Sequence, residues 1–381
     1  MGWVLGLGNG VVFRQGGESG LGSSYWTPSS AVVENADPTD VVLTYAKAVN
    51  PADAIAGNFT IAGKTISGAV LDGTGKILTL TVTVAFVYGD SITVVANGTN
   101  ISVTNNINAE AELTTYITGL TTPLSSAQLL RLNTLIKSIK TGLSISALSE
   151  AFDTLYVLAG ETSESSLKNL VKDAHHCTAV NAPTFTQYEG YVGGATKSLN
   201  TNYNPFAQGE NYLLNSASLG AYVRTTTIGA YTILGVADAG NESYINPRMN
   251  YDTVGRFYCR VNQATYTFEA ATGDTKGMLI ASRVGANAVD GYKNGTDLNC
   301  SGNTGVSTSL PNYNIHLLAL NLPAHTIQHS PDQLSIAFMG KGFSGAEITA
   351  ITNACEAYMD ALGKGVVDLL IYRQTYQNGQ E

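Results

Sequence analysis

The chain has 381 residues, 13% of them charged and 44% hydrophobic, with a formal net charge of −9. Charged residues are about half the usual share of roughly 25%, so Thr, Ser, Asn and Gly must supply the polar surface. The acidic balance without a basic cluster argues against nucleic-acid binding, and no apolar run reaches the ~18 residues of a transmembrane helix.

Residues 1–30 form a Gly-rich stretch with no charge before Arg14 and no basic start of a signal peptide. So much Gly forbids a helix, yet the stretch carries Trp3, Phe13 and Trp26. These rings are expected to anchor the chain on a partner protein by strand addition or groove filling. Folding back on the following module is the alternative.

Residues 31–107 read as a β-sandwich. Runs rich in β-branched residues recur at Val41–Tyr45, Phe59–Ala62, Thr65–Leu71, Ile77–Phe86, Ser91–Val95 and Ile101–Val103. Leu78, Leu80, Val82 and Val84 alternate with Thr79, Thr81 and Thr83, the pattern of a strand with one buried face. Six strands in about 75 residues is an immunoglobulin-like size.

Residues 108–176 switch to a helical period. Ser125 and Gln128 form a capping box ahead of Leu129, Leu132, Ile136 and Ile139. A second helix is expected over Ser146–Ala159 with Leu148, Phe152, Leu155 and Leu158 as its stripe, and a third begins near Thr162 or Ser163. Such short helices bury little alone. Leu129, Leu132, Ile136, Phe152 and Leu155 are therefore expected to form an oligomer stalk, with packing on the next domain as the alternative.

Residues 177–363 return to β structure, with candidate strands at Leu219–Thr225, Tyr231–Val236, Arg256–Val261, Met278–Ser282, Ile315–Asn321 and Leu334–Gly340. Lys293-Asn294-Gly295-Thr296 is a hairpin turn. Ser344 and Glu347 form a capping box before Ile348, Ile351, Cys355, Tyr358 and Leu362, and Gly363 ends that helix. Residues 364–381 read as a tail or an extra strand. The fold class is thus mainly β, with a short helical segment and a jelly roll closing on a helix.

The 31–107 segment, opening Val32-Val33-Glu34-Asn35-Ala36-Asp37-Pro38-Thr39, resembles cysteine-free bacterial immunoglobulin-like modules. The last 180 or so residues resemble concanavalin-like and laminin-G-like domains. The whole chain resembles virion structural proteins of crAss-like phages of Bacteroides-type gut bacteria. That likeness is carried by Leu5–Arg14, Phe152–Ala159 and Leu170–Asn181. It implies a head fibre or capsid-decorating fibre, located in the virion and assembled as a homotrimer on a capsid or tail protein. A tail-fibre adhesin for host surface glycans is the alternative it leaves.

Chemistry is thinly represented. His175-His176-Cys177 is the one dense group of metal-capable side chains, and adjacent residues project in different directions, so two of the three can converge at best. Cys177, Cys259, Cys300 and Cys355 are widely spaced without a CxxC pair, and read as buried thiols, with one disulfide as the alternative. No paired acids suited to glycoside hydrolysis stand out. No cofactor, no metal and no enzymatic activity are expected. Tyr203, Tyr251, Tyr292 and Asn294 are the candidate glycan contacts, because rings stack on sugar faces while amides bind hydroxyls.

Overall fold

The computed structural model describes residues 27–34, 37–86, 88–96, 98–105, 108–227, 229–238, 241–249, 255–264, 268–300, 305–322 and 328–367. Trp3, Phe13, Trp26, Tyr251 and residues 368–381 lie outside that set. The chain is mainly β and divides into two compact units, Met1–Asn108 and Ala109–Glu381.

In the first unit, β1 (Ser30–Glu34), β2 (Asp37–Thr44), β3 (Phe59–Ile61) and β4 (Ile66–Leu71) are followed by β5 (Ile77–Val82), β6 (Ile92–Ala96) and β7 (Thr99–Asn105). Their order is β3-β6-β7-β1-β2-β5-β4. β1 pairs antiparallel with β2 and parallel with β7, so it joins a β1-β2-β5-β4 layer to a β3-β6-β7 layer. That is the strand arrangement of a seven-stranded immunoglobulin sandwich. Val33, Val41, Leu43, Leu78, Leu80 and Val94 are fully buried between the layers. The alternation of β5 runs as expected up to Val82. Val84 departs from it, standing 62% exposed beyond the last paired residue of the strand.

The second unit opens with α1 (Ala111–Ile117), α2 (Ser126–Leu143), β8 (Phe152–Val157) and α3 (Ser163–Ser166). Next come β9 (Thr178–Val180), β10 (Thr184–Thr186), β11 (Gly190–Val192), β12 (Ser198–Asn200), α4 (Pro205–Gln208) and β13 (Ala217–Val223). They are followed by β14 (Gly229–Ala230), β15 (Leu234–Asp238), β16 (Asn241–Met249), β17 (Gly255–Gln263), β18 (Phe268–Gly273) and β19 (Gly277–Gly285). The unit closes with β20 (Ala288–Lys293), β21 (Thr296–Asp297), β22 (His316–Leu317), β23 (Ala319–Asn321), β24 (Gln328–His329), β25 (Gln333–Gly340) and α5 (Gly345–Ala361).

Two sheets result, one ordered β10-β11-β25-β13-β19-β20-β21 and the other β18-β17-β16-β15-β22-β12-β9. Leu219, Ala221, Leu279 and Met339 of the first pack with Val236, Ile245, Phe257 and Val261 of the second, in one jelly-roll core. β13 and β25 are buried on both faces. The helix α5 faces the first sheet, where the Tyr222 hydroxyl donates to Glu356 Oε2 at 2.6 Å. In turn α2 packs on α5, and Gln128 Nε2 donates to Tyr358 Oη at 2.7 Å. Both capping boxes named from the sequence begin their helices, although at Ser125 only the side-chain-to-Gln128 bond forms.

The helix expected over Ser146–Ala159 is a strand instead. β8 pairs antiparallel with β25, matching Leu155 to Phe338, and all six of its residues are buried. A strand buried on both faces loses the period-two alternation that marks a strand, and Leu148, Phe152, Leu155 and Leu158 also fit a helical stripe. The expected stalk residues are accordingly enclosed by their own chain: Leu132, Ile136, Phe152 and Leu155 are buried, and Leu129 is half-buried. They leave no exposed stripe for other copies. The Thr162 cap is present, but α3 is a single turn that stops before Leu167.

His316 on β22 is buried, its Nδ1 lying 3.3 Å from Ser198 Oγ. Burial, with His329 nearby, pushes it down to about 4. The folded chain therefore binds this proton less readily than the unfolded chain. Its stabilising contribution is complete above pH ~6.5 and lost as pH falls toward 4, amounting to about 3 kcal/mol. Urea titrations at pH 7 and 4.5 should show a larger loss for the wild type than for His316→Gln.

A candidate recognition rim on the jelly roll

Several strands of the second unit begin or end together at one end of the sandwich: β8 and β13 start there, and β15, β17, β19 and β25 finish there. The segments 204–216, 284–287 and 305–315 emerge at this end. Three buried polar side chains hold them.

Asp153, in β8, is fully buried. Its carboxylate accepts from Tyr203 Oη (2.5 Å), from the N–H groups of Glu210 (3.1 Å), Asn211 (2.8 Å) and Tyr212 (3.0 Å), and from Asn211 Nδ2 (3.0 Å). Burial, and then the neighbouring carboxylate, push the Tyr203 phenol far up, so it stays a donor. One charge thus fixes the 203–212 segment.

Arg283, in β19, is fully buried as well. It donates to the carbonyls of Val261 (2.8 Å), Gly285 (3.0 Å), Ala286 (2.8 Å) and Gly305 (2.7 Å), and to Gln263 Oε1 (2.8 Å). All five acceptors are uncharged oxygens, and burial lowers the guanidinium to about 10. It remains charged at neutral pH, and ties the β19–β20 turn to β17 and to the 305 segment.

Asn262, with φ of 56°, donates from Nδ2 to the carbonyls of Leu213 and Leu214, both at 3.1 Å. Cross-links between segments complete the frame: Asn204 Nδ2 donates to Asn312 Oδ1 at 3.0 Å, and Ser307 Oγ to Asn215 Oδ1 at 2.6 Å.

On this frame stand Phe206, Leu213, Val284, Val306 and Tyr313, between 43% and 61% exposed. Among the described residues they are all of the large exposed apolar side chains of the unit. Apolar groups scattered over a surface mean little, but a concentration on rigid loops marks an interaction surface. Of the acids at this end, Glu210 pairs with Lys172 at 2.8 Å, and Asp238 accepts from the Asn312 N–H at 3.3 Å.

The glycan contacts expected from sequence are not here. Tyr203 is an interior residue whose hydroxyl is spent on Asp153, and Tyr292 is buried on β20. Asn294 sits in the β20–β21 turn at the opposite end, where its Oδ1 accepts from Met278 N–H at 2.8 Å. Tyr251 falls outside the described residues. Local composition placed these rings beside Asn, but only the pairing of strands decides which ring faces solvent.

The His175-His176-Cys177 group diverges. His175 Nδ1 lies 3.0 Å from the Asn202 carbonyl, His176 contacts Asp173 and the Asn169 N–H, and Cys177 is buried. All four cysteines are buried and unpaired. What sequence reading missed were Asp153 and Arg283. Their signal was present: a lone charge inside Phe-Asp-Thr-Leu-Tyr-Val and inside Met-Leu-Ile-Ala-Ser-Arg-Val.

No protein-family model matches the chain, and no curated protein does. Among solved structures, Trypanosoma rangeli sialidase with sialic acid is similar at 11% identity and a TM-score of 0.43, covering 81% of this chain and 43% of the sialidase. Its covalent-intermediate complex gives 11% and 0.41, covering 63% and 40%. The binding domain of botulinum neurotoxin serotype D gives 8% and 0.38, covering 54% and 52%. The chain thus spans about two fifths of the sialidases and half of the toxin domain. The sialidases overturn the expectation that enzymatic activity is excluded; at these identities and TM-scores they assign no activity to this chain.

Proposed function

We propose that this chain is a structural component of a bacteriophage particle, a fibre or decoration protein whose jelly roll presents its loop rim as the recognition surface. The observation that supports display is the rim: the exposed apolar side chains of the unit are gathered on loops pinned by buried Asp153, Asn262 and Arg283. Such preorganisation lowers the ordering cost of binding. The assignment to a particle rests on the sequence resemblance of Leu5–Arg14, Phe152–Ala159 and Leu170–Asn181. An antibody against the chain should label purified particles of the encoding phage; unlabelled particles that lack the chain by mass spectrometry would refute the assignment.

A second reading is favoured by Phe206 and Tyr313, which stand beside the linked amides of Asn204 and Asn312. Rings flanked by amides suit a neutral host glycan. Full-length protein on a glycan array should retain such ligands, and Phe206→Ala or Tyr313→Ala should weaken retention about tenfold each, or ~1.4 kcal/mol. An array without retained ligand leaves particle display without this role.

A further inference from the structure

Two polar groups on the rim have hydrogen-bonding capacity to spare. Asp238, which ends β15, accepts from the Asn312 N–H through Oδ2, and among the described residues its Oδ1 has no partner. Asn312 is oriented by its neighbours. Asn204 Oδ1 accepts from the N–H groups of Phe206 (3.0 Å) and Ala207 (3.3 Å), which leaves Asn204 Nδ2 as the donor. That Nδ2 meets Asn312 Oδ1 at 3.0 Å, so Asn312 Nδ2 is an unspent donor among the described residues. Asn312 is exposed, and so are Phe206 and Tyr313, the rings that follow these two asparagines in the chain.

A carboxylate oxygen only accepts and an amide nitrogen only donates, whereas a hydroxyl does both. Adjacent hydroxyls of one sugar ring satisfy the two groups together, one donating to Asp238 and its neighbour accepting from Asn312 Nδ2. The apolar face of that ring then has Phe206 or Tyr313 to lie on. Resting on the glycan reading above, we propose that Asp238 and Asn312 are the specificity-determining pair of the rim. They take a neutral pyranose with two adjacent free hydroxyls and turn away acidic sugars, sialic acid among them. A hydroxyl bonded to a carboxylate makes a charge-assisted contact, stronger than one between neutral groups. A sugar acid instead meets the Asp238 charge on a chain of net charge −9, and like charges set face to face reject the wrong ligand.

The test is the full chain on an array of neutral glycans, sialylated glycans, and the same neutral glycans after periodate has cleaved their vicinal diols. Retention should be confined to the intact neutral set. Two isosteric variants separate the pair from the fold: Asp238→Asn keeps an oxygen for the Asn312 N–H, and Asn312→Asp keeps one for Asn204 Nδ2. Each should weaken retention about tenfold or more, with the circular dichroism unchanged, and Asp238→Asn should narrow the preference for neutral over sialylated glycans. If the wild type retains nothing, the glycan reading itself falls, and the pair with it. If retention is lost with Phe206→Ala but unmoved by either isosteric variant, that reading stands and the pair is overturned. Equal retention of periodate-treated or sialylated glycans by the wild type, or an undiminished preference in Asp238→Asn, would overturn the pair as well.

Discussion

Asp153→Ala is expected to lower the unfolding free energy by about 3–5 kcal/mol, because it strands several buried donors at once. Tyr203 Oη, three consecutive N–H groups and Asn211 Nδ2 all converge on that carboxylate. None of them has water to fall back on at Tyr203 and Tyr212, both fully buried. Asp153→Asn keeps the shape but turns one acceptor into a donor facing other donors, so it should recover only part of the loss. Urea denaturation measures the effect, and limited proteolysis should show new cleavage between residues 204 and 212. A loss under ~1 kcal/mol for the alanine variant would mean the loop does not depend on this charge.

Arg283→Met is expected to cost a similar ~3–5 kcal/mol, for the reverse reason. The methionine fills much of the volume but leaves four carbonyls and Gln263 Oε1 without their shared donor. Arg283→Lys retains the charge with three donors in place of five, so it should fall between the two. Hydrogen exchange should rise first in 284–287 and 305–308, where Ser307 N–H also bonds the Ala286 carbonyl at 2.9 Å. If Met and Lys variants were equally stable, hydrogen bonding by the guanidinium would not be the source of the rigidity.

The local features that sequence predicts well here are the ones whose partners are local. The Ser344–Glu347 box, the Asn294-Gly295 turn with positive φ at both residues, and the period-two face of β5 as far as Val82 formed as read. What failed depended on distant partners. Phe152–Val157 looks helical until β25 is placed beside it, and Leu132 and Ile136 look like a free stripe until their own chain encloses them. β1 was passed over because Ser30–Glu34 is short and shows no alternation strong enough to stand out, yet it closes the sandwich. The rim was hidden for the same reason. Its exposed groups come from three segments spread over more than a hundred residues, and only the buried charges beneath them bring those segments together.

The pairing of β8 with β25 also constrains how the polypeptide matures. Leu155 must wait for Phe338 to leave the ribosome, about 10–40 s later at ordinary elongation rates. During that interval the first strand of the sheet has an uncovered edge, and α2 has no α5 to lie against. A nascent chain in this condition is a natural client for chaperones, and the second unit can close only after its synthesis is nearly finished.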